Sequence, residues 1–189
     1  MGSFNRYEQE TLLKRARTAI SNAIGNSPVE DSPVESVPPV LKEFRGCFVT
    51  LHIRGCLRGC IGTIQPTMPL LDAVDQNARN AAFCDPRFPA LTADELPEID
   101  IEVSVLTVPQ RLDFTDAEDL KQKLIPGVHG VILSRGGRSA VFLPQVWKQL
   151  PDKNRFLENL CMKCGLPKDA WKKPGTQVSI YEAEYFSET

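Results

Sequence analysis

The chain has no apolar run near the roughly 20 residues that a membrane helix needs, so none of its 189 residues reads as part of a span. It also lacks an excess of positive charge. Its 22 Lys and Arg against 24 Asp and Glu leave a formal net charge of −2, and no basic field argues for nucleic acid. A signal-peptide core is missing too, because Arg6, Glu8, Gln9, Glu10, Lys14 and Arg15 crowd the first stretch. A cytoplasmic protein is therefore expected. There the six cysteines are mostly reduced thiols, used for packing, catalysis or metal binding. No internal repeat is visible, and no low-complexity tract outside a Pro-rich linker at 26–40. No Cys-x-x-x-Cys-x-x-Cys run is present to hold a radical-type iron–sulfur cluster.

What is present suits a globular protein with a real core: 42% hydrophobic and 24% charged residues. Leu12, Leu13, Ala16, Ala19, Ile20, Ala23 and Ile24 predict a helix over 7–24, with Arg6, Lys14, Arg15 and Arg17 on a solvated face. Cys47, Val49, Leu51 and Ile53 alternate along a strand over 45–53, and a second strand over 57–64 returns to make a hairpin. A helix over 69–82 follows, then a capping box at Thr92–Glu95 that opens a short helix. Ile99, Ile101, Val103 and Val105 mark a strand. A second capping box at Thr115–Glu118 opens a helix to about Leu124. Residues 127–143 read as a hairpin, 144–150 as a short helix, 155–164 as a helix and 178–186 as one closing strand. The expected fold is α+β, a mainly antiparallel sheet with helices packed on it.

The densest chemistry lies in Leu57-Arg58-Gly59-Cys60-Ile61-Gly62-Thr63. Glycine inside a strand marks a bulge or a close backbone approach. Gly59 and Gly62 therefore suit a site wall, with Cys60 as nucleophile or redox thiol and Arg58 beside it if a bulge allows. The plainer alternative is a buried cysteine in a tight hairpin. Asp85 and Arg87, in a Pro-stiffened loop, can pair with each other, cap the helix or bind an anionic group. His52 reads as a surface residue. His129, between glycines at a strand start, can serve as a base or bond local backbone. Glu102 is either solvated or a site carboxylate. Gln145 and Trp147 face a cleft or the core. Cys56, Cys60, Cys161 and Cys164 offer four thiols to zinc. Since Cys161 and Cys164 fit the apolar stripe of their helix, no metal and no cofactor are expected.

The same stretch resembles the signature of the AMMECR-type domain family. Ala81-Ala82-Phe83-Cys84-Asp85-Pro86-Arg87-Phe88 resembles a second family block, and Ile101-Glu102-Val103-Ser104-Val105-Leu106 a third. Gly127-Val128-His129-Gly130 and Leu143-Pro144-Gln145-Val146 match two more. The blocks come in order and the match runs from about residue 7 to about 186. The resemblance implies two unequal subdomains with a cleft between them. The larger carries the signature hairpin, and the smaller is built around about 69–97. It assigns no settled reaction, so whether the chain is an enzyme stays open. It implies a cytoplasmic enzyme or accessory protein with a cleft at Cys60. His129 is then its base, Arg58, Gly59, Gly62, Asp85, Arg87 and Gln145 meet the substrate, and the ligand is a small molecule or peptide. The alternative is a non-catalytic binding or adaptor domain. Prokaryotic members resemble the first protein of the AmmeMemoRadiSam set, so the expected partners are a Memo-type protein and a radical S-adenosylmethionine enzyme.

Overall fold

Leu12, Leu13, Ala16, Ala19 and Ile20 recur at helical spacing. In the structure, a computed structural model that describes residues 4–25 and 37–188, they form the buried stripe of helix α1 (Arg6–Gly25). Asn5 and Glu8 start the helix reciprocally: each side chain accepts the other's backbone N–H, at 3.0 and 2.9 Å. Residues 26–36 of the expected linker lie outside the described residues. Pro39–Lys42 makes a short 3₁₀ turn. The basic face of α1 is less solvated than its spacing suggests. Arg15 pairs with Asp75 at 3.0 Å. Arg17 pairs with Glu188 and donates to the carbonyls of Leu96 and Ile99.

The chain divides into two compact units, the first Met1–Val108 with Glu184–Thr189 and the second Pro109–Ala183. The first is built on an antiparallel hairpin, β1 (Cys47–Ile53) and β2 (Cys56–Thr63). Strands β3 (Ile99–Leu106) and β8 (Ala183–Ser187) extend it into a sheet of order β2-β1-β3-β8. Strand alternation sends Cys47, Val49 and Leu51, with Ile101 and Val103, to one face. There they meet α1 and α2 (Leu70–Phe83) in one buried cluster. Each large side chain fully buried there contributes about 1.5–3 kcal/mol. Residues 69–97 belong to this unit and do not form a smaller subdomain of their own. The reason is physical: α2 buries Leu70, Val74, Ala78 and Ala81 in the core it shares with α1 and the sheet.

The second unit carries a sheet of order β4-β7-β5-β6. Its strands are β4 (Gln110–Arg111), β5 (Gly130–Arg135), β6 (Arg138–Phe142) and β7 (Gln177–Tyr181). Helices α3 (Ala117–Lys123) and α4 (Lys153–Lys163) bury Leu120, Phe156, Leu157 and Leu160 in its core. Trp147 stacks on Phe156 with centroids 3.6 Å apart.

Three local expectations are corrected. The Thr92–Glu95 box forms its backbone bond, Thr92 N–H to Glu95 at 2.9 Å, but only a 3₁₀ turn at Leu96–Glu98 follows; Pro97 stops an α-helix there. The cap of α3 is Asp116, which accepts from the N–H groups of Glu118 and Asp119. Residues 178–186 are two strands in two different sheets, separated at Glu182.

Candidate functional site

Strand β2 is the edge of the first sheet, and its register holds the explanation of the motif. Leu51 pairs with Gly59 and His52 with Leu57, which leaves Arg58 as the extra residue of a β-bulge. The bulge resets the alternation. Leu57 and Cys60 are three residues apart, yet they pair with His52 and Thr50, which share the face turned away from the helices. Gly59 takes the helix face, where a Cβ would stand 2.2 Å from the Ala81 carbonyl oxygen of α2. Gly62 lies under Phe48; a Cβ there would meet that ring at 2.3 Å. Both glycines are thus required by close approach, one of a helix and one of a ring.

Cys60 is half-buried, and its surroundings are polar. The Thr50 hydroxyl donates to its sulfur at 3.3 Å. Its backbone N–H donates to Asp85 Oδ2 at 2.8 Å, and its carbonyl accepts from Arg87 Nη2 at 3.2 Å. Both backbone groups therefore point out of the sheet edge, which makes Cys60 and Thr50 a close, non-hydrogen-bonded pair. Across β1 the row continues from Thr50 to Glu102 on β3.

Asp85 and Arg87 are joined by a two-pronged ion pair, Arg87 Nε to Oδ1 at 2.9 Å and Nη2 to Oδ2 at 2.6 Å. Asp85 is buried, whereas the Arg87 side chain is 54% exposed. The Arg87 guanidinium, helped by the Cys60 and Arg87 N–H groups, holds the Asp85 carboxyl well below the usual carboxylate range despite its burial. Arg58 does the same for Glu95, with Nε to Oε1 at 2.7 Å and Nη2 to Oε2 at 2.9 Å. Helped by Thr92, it lowers the Glu95 carboxyl to about 2. Phe88 lies between the two pairs, its ring centroid 6.0 Å from the Arg58 guanidinium and 5.5 Å from that of Arg87. The bulge thus delivers Arg58 to Glu95.

The chain's other cysteines differ. Burial pushes the Cys47 thiol up to about 11, against the Asn77 amide that donates to it at 3.3 Å. Burial also raises Cys161. Cys56 and Cys84 are exposed, and all six thiols are free. Among the described residues no group of three or more His, Cys, Asp or Glu is placed to hold a metal ion.

His129 and Gln145 lie in the second unit, whereas Arg58, Gly59, Cys60, Gly62, Asp85 and Arg87 lie in the first. His129 is buried, and its Nδ1 accepts the Ile125 N–H at 3.2 Å. Burial lowers its pKa, partly offset by Glu182, and because Nδ1 accepts the Ile125 N–H, the neutral ring carries its proton on Nε2. Its carbonyl accepts from the Trp147 indole at 2.7 Å. Gln145 keeps a buried amide oxygen with no partner among the described residues. Thr50 and Glu95 are the residues that sequence reasoning missed. Thr50 was legible as a polar residue on the non-core face of β1. Glu95 was absorbed into a capping box.

Helices packed on two antiparallel sheets, in two compact units, make this an α+β protein. The family comparison is specific about which class. The chain belongs to the AMMECR1 family, whose pattern matches residues 13–186. It is 43% identical over 185 residues to a protein of Methanothermobacter thermautotrophicus, covering 97% of this chain and 96% of that one. A Methanocaldococcus jannaschii relative is 38% identical, covering 96% and 90%. The fold also matches the crystal structure of uncharacterized protein PH0010 from Pyrococcus horikoshii, with a TM-score of 0.86 and 36% identity over 98% of this chain and 93% of that one. No helix among the described residues is long and apolar enough to cross a membrane.

Proposed function

We propose that the protein is a small cytoplasmic enzyme or accessory protein that works through the Cys60 thiol. The observation that supports this is the way Cys60 is held. Its backbone is fixed at both N–H and carbonyl by the Asp85–Arg87 pair, and its half-buried sulfur receives the Thr50 hydroxyl. Cys47 differs in place and in partner: it lies fully buried in the core, where a neutral amide, that of Asn77, meets both its sulfur and its carbonyl. In this reading the sulfur is the nucleophile or redox group, and Thr50 orients it. Asp85 and Arg87 position the strand, and the exposed side of the Arg87 guanidinium anchors an anionic group of the substrate. The Nδ1 lone pair of His129 is already used by Ile125, so we assign proton acceptance to Glu102. Glu102 pairs with Thr50, which pairs with Cys60, so the three share the face turned away from the helices.

The test is alkylation by iodoacetamide across a pH series, with each cysteine mapped by mass spectrometry. Exposed Cys56 and Cys84 are internal references. Cys60 is expected to react faster than both although it is less exposed. A Cys60 slower than both references at every pH sinks the reading.

A second reading is an adaptor domain for a Memo-type or radical S-adenosylmethionine protein. Its favouring observation is Leu57, 41% exposed beside the thiol on an edge strand, where a partner can dock. Pull-downs with both candidates decide it. Binding kept by Cys60→Ser and lost by Leu57→Glu supports the adaptor, and no binding by either candidate removes it.

A further inference from the structure

Cys161 and Cys164 are thiols that the Cys60 reading does not use. Their Cys-x-x-Cys spacing ends helix α4, with Cys161 in its last turn and Cys164 as its cap. Gly165 follows in the left-handed region, at φ 71°. The Leu166 N–H donates to the Cys161 carbonyl at 3.0 Å, and the Gly165 N–H to that of Met162 at 2.9 Å. These are the paired bonds of a helix end closed by glycine. The Cys164 N–H also donates to the Cys161 carbonyl, at 3.2 Å. That bond closes a turn of 3₁₀ type, in which side chains three residues apart eclipse. The helix end therefore sets one thiol above the other.

The side chains agree with the backbone. The Cys164 thiol donates to the Cys161 carbonyl at 3.2 Å and lies 3.7 Å from that of Leu160. It points back along the helix, over the turn that carries Cys161. Both side chains pack in the same core cluster. Helix geometry puts their Cα atoms about 5–6 Å apart, inside the range of about 4.4–6.8 Å that a disulfide spans. Exposure gives them different parts. Cys164 is half-buried, so solvent reaches it. Cys161 is 0% exposed, and its sulfur accepts the Trp171 backbone N–H.

We infer that Cys161 and Cys164 are a redox pair, a dithiol that a small disulfide oxidises to an intrachain disulfide. The Cys164 thiolate attacks one sulfur of the small disulfide, whose S–S bond breaks and releases the first small thiolate. This thiolate takes up the proton that Cys164 lost. The Cys161 sulfur then attacks the Cys164 sulfur, and the second small thiolate leaves with the Cys161 proton. Two protein thiols are oxidised, and one small disulfide is reduced to two small thiols. The outer thiol is thus the entry point, and the buried one closes the bond. The inference stands apart from Cys60, and no group of the first unit takes part in it.

The test incubates the folded full chain with glutathione disulfide, blocks the remaining thiols with N-ethylmaleimide in denaturant and maps the tryptic peptides. Lys163 lies between the two cysteines, so trypsin separates them unless a disulfide joins their peptides. Joined Cys161 and Cys164 peptides are the expected result. Cys161→Ala is expected to raise the glutathione retained on Cys164 by about tenfold or more, because the intramolecular step that displaces it is gone. Cys164→Ser, a change at a half-buried position, is expected to leave Cys161 a free thiol. The inference is overturned if the wild type gives no joined pair, or gives one only after unfolding in urea. It is also overturned if Cys161→Ala leaves Cys164 no richer in glutathione, or if Cys161 takes up glutathione directly in Cys164→Ser.

Discussion

Asp85 accepts the backbone N–H of Cys60 at 2.8 Å from 25 residues away in the chain. Its ion-pair partner Arg87 reaches the carbonyl of the same residue. An edge strand leaves a row of such groups unpaired. Here a loop pair takes the place of the missing neighbour strand at the one residue that carries the motif thiol. Asp85→Ala removes the acceptor of two backbone N–H groups and one guanidinium, and it is expected to cost about 2–3 kcal/mol. Urea unfolding at neutral pH measures it. A loss under half a kcal/mol, on the scale of an exposed ion pair, shows that the pair does not hold the strand.

The same pair gives stability an acid limb. Asp85 and Glu95 both have carboxyl groups lowered on folding, Glu95 to about 2. A carboxyl depressed in the folded state contributes stability that is complete above its unfolded value, near 4.5 for Glu, and is lost as pH falls through the folded one. The wild type is therefore expected to lose stability steadily from about pH 4.5 towards pH 2, and Glu95→Gln to fall less steeply over that window. Denaturant midpoints at half-unit steps compare them. Parallel curves rule out the Glu95 contribution.

Gly59 tests the packing of α2 on β2. An alanine there places Cβ 2.2 Å from the Ala81 carbonyl oxygen, a backbone atom that can move only with its helix. Gly59→Ala is expected to destabilise by about 1–3 kcal/mol or more. Gly25→Ala, where a Cβ meets nothing within 4 Å, is the control. Equal melting temperatures for the two variants refute the close approach.

The sequence carries the periodicities of this fold well and its registers poorly. The stripes of α1 and α2 and the alternation of β1 and β3 are legible because each follows from one local repeat. The bulge at Arg58 is not, since it depends on how β2 meets β1. Nor is the fate of Arg58, whose partner Glu95 is 37 residues away and scores locally as a capping residue. The closing segment reads as one strand because its β-pattern hardly breaks; only pairing partners reveal that β7 and β8 belong to different sheets. In the candidate site, Cys60, Asp85 and Arg87 are visible as residue types. Their arrangement as a clamp is a tertiary fact, as is the placing of His129 in the other unit.

His129 carries the opposite sign from the common charged-partner case. Burial lowers its pKa from 6.5, so the unfolded chain binds more protons than the folded one below that value. Stability is then complete above about pH 6.5 and declines as pH falls towards the folded pKa. His129→Gln removes this titration while keeping an acceptor for the Ile125 N–H. The variant is expected to lose less stability than the wild type between neutral pH and about pH 5. Thermal midpoints over that range measure it, and an unchanged slope excludes His129 as the titrating group.

Thr50→Val separates a thiol that is chemically placed from one that is only packed. The two side chains have nearly the same shape, and Thr50 donates a single hydroxyl bond to the Cys60 sulfur at 3.3 Å. Stability should change by less than about 1 kcal/mol, because a weak bond to sulfur is lost and no buried charge is exposed. The Cys60 alkylation rate, measured against Cys56 and Cys84 in the same sample, should change by about two- to fivefold, since the hydroxyl no longer supports or orients the sulfur. A changed Cys60 rate at unchanged stability assigns Thr50 to the chemistry of the thiol. An unchanged ratio assigns it to the packing of the β1–β2 pair, and leaves the Asp85–Arg87 pair, among the described residues, to set Cys60 apart from an ordinary edge-strand cysteine.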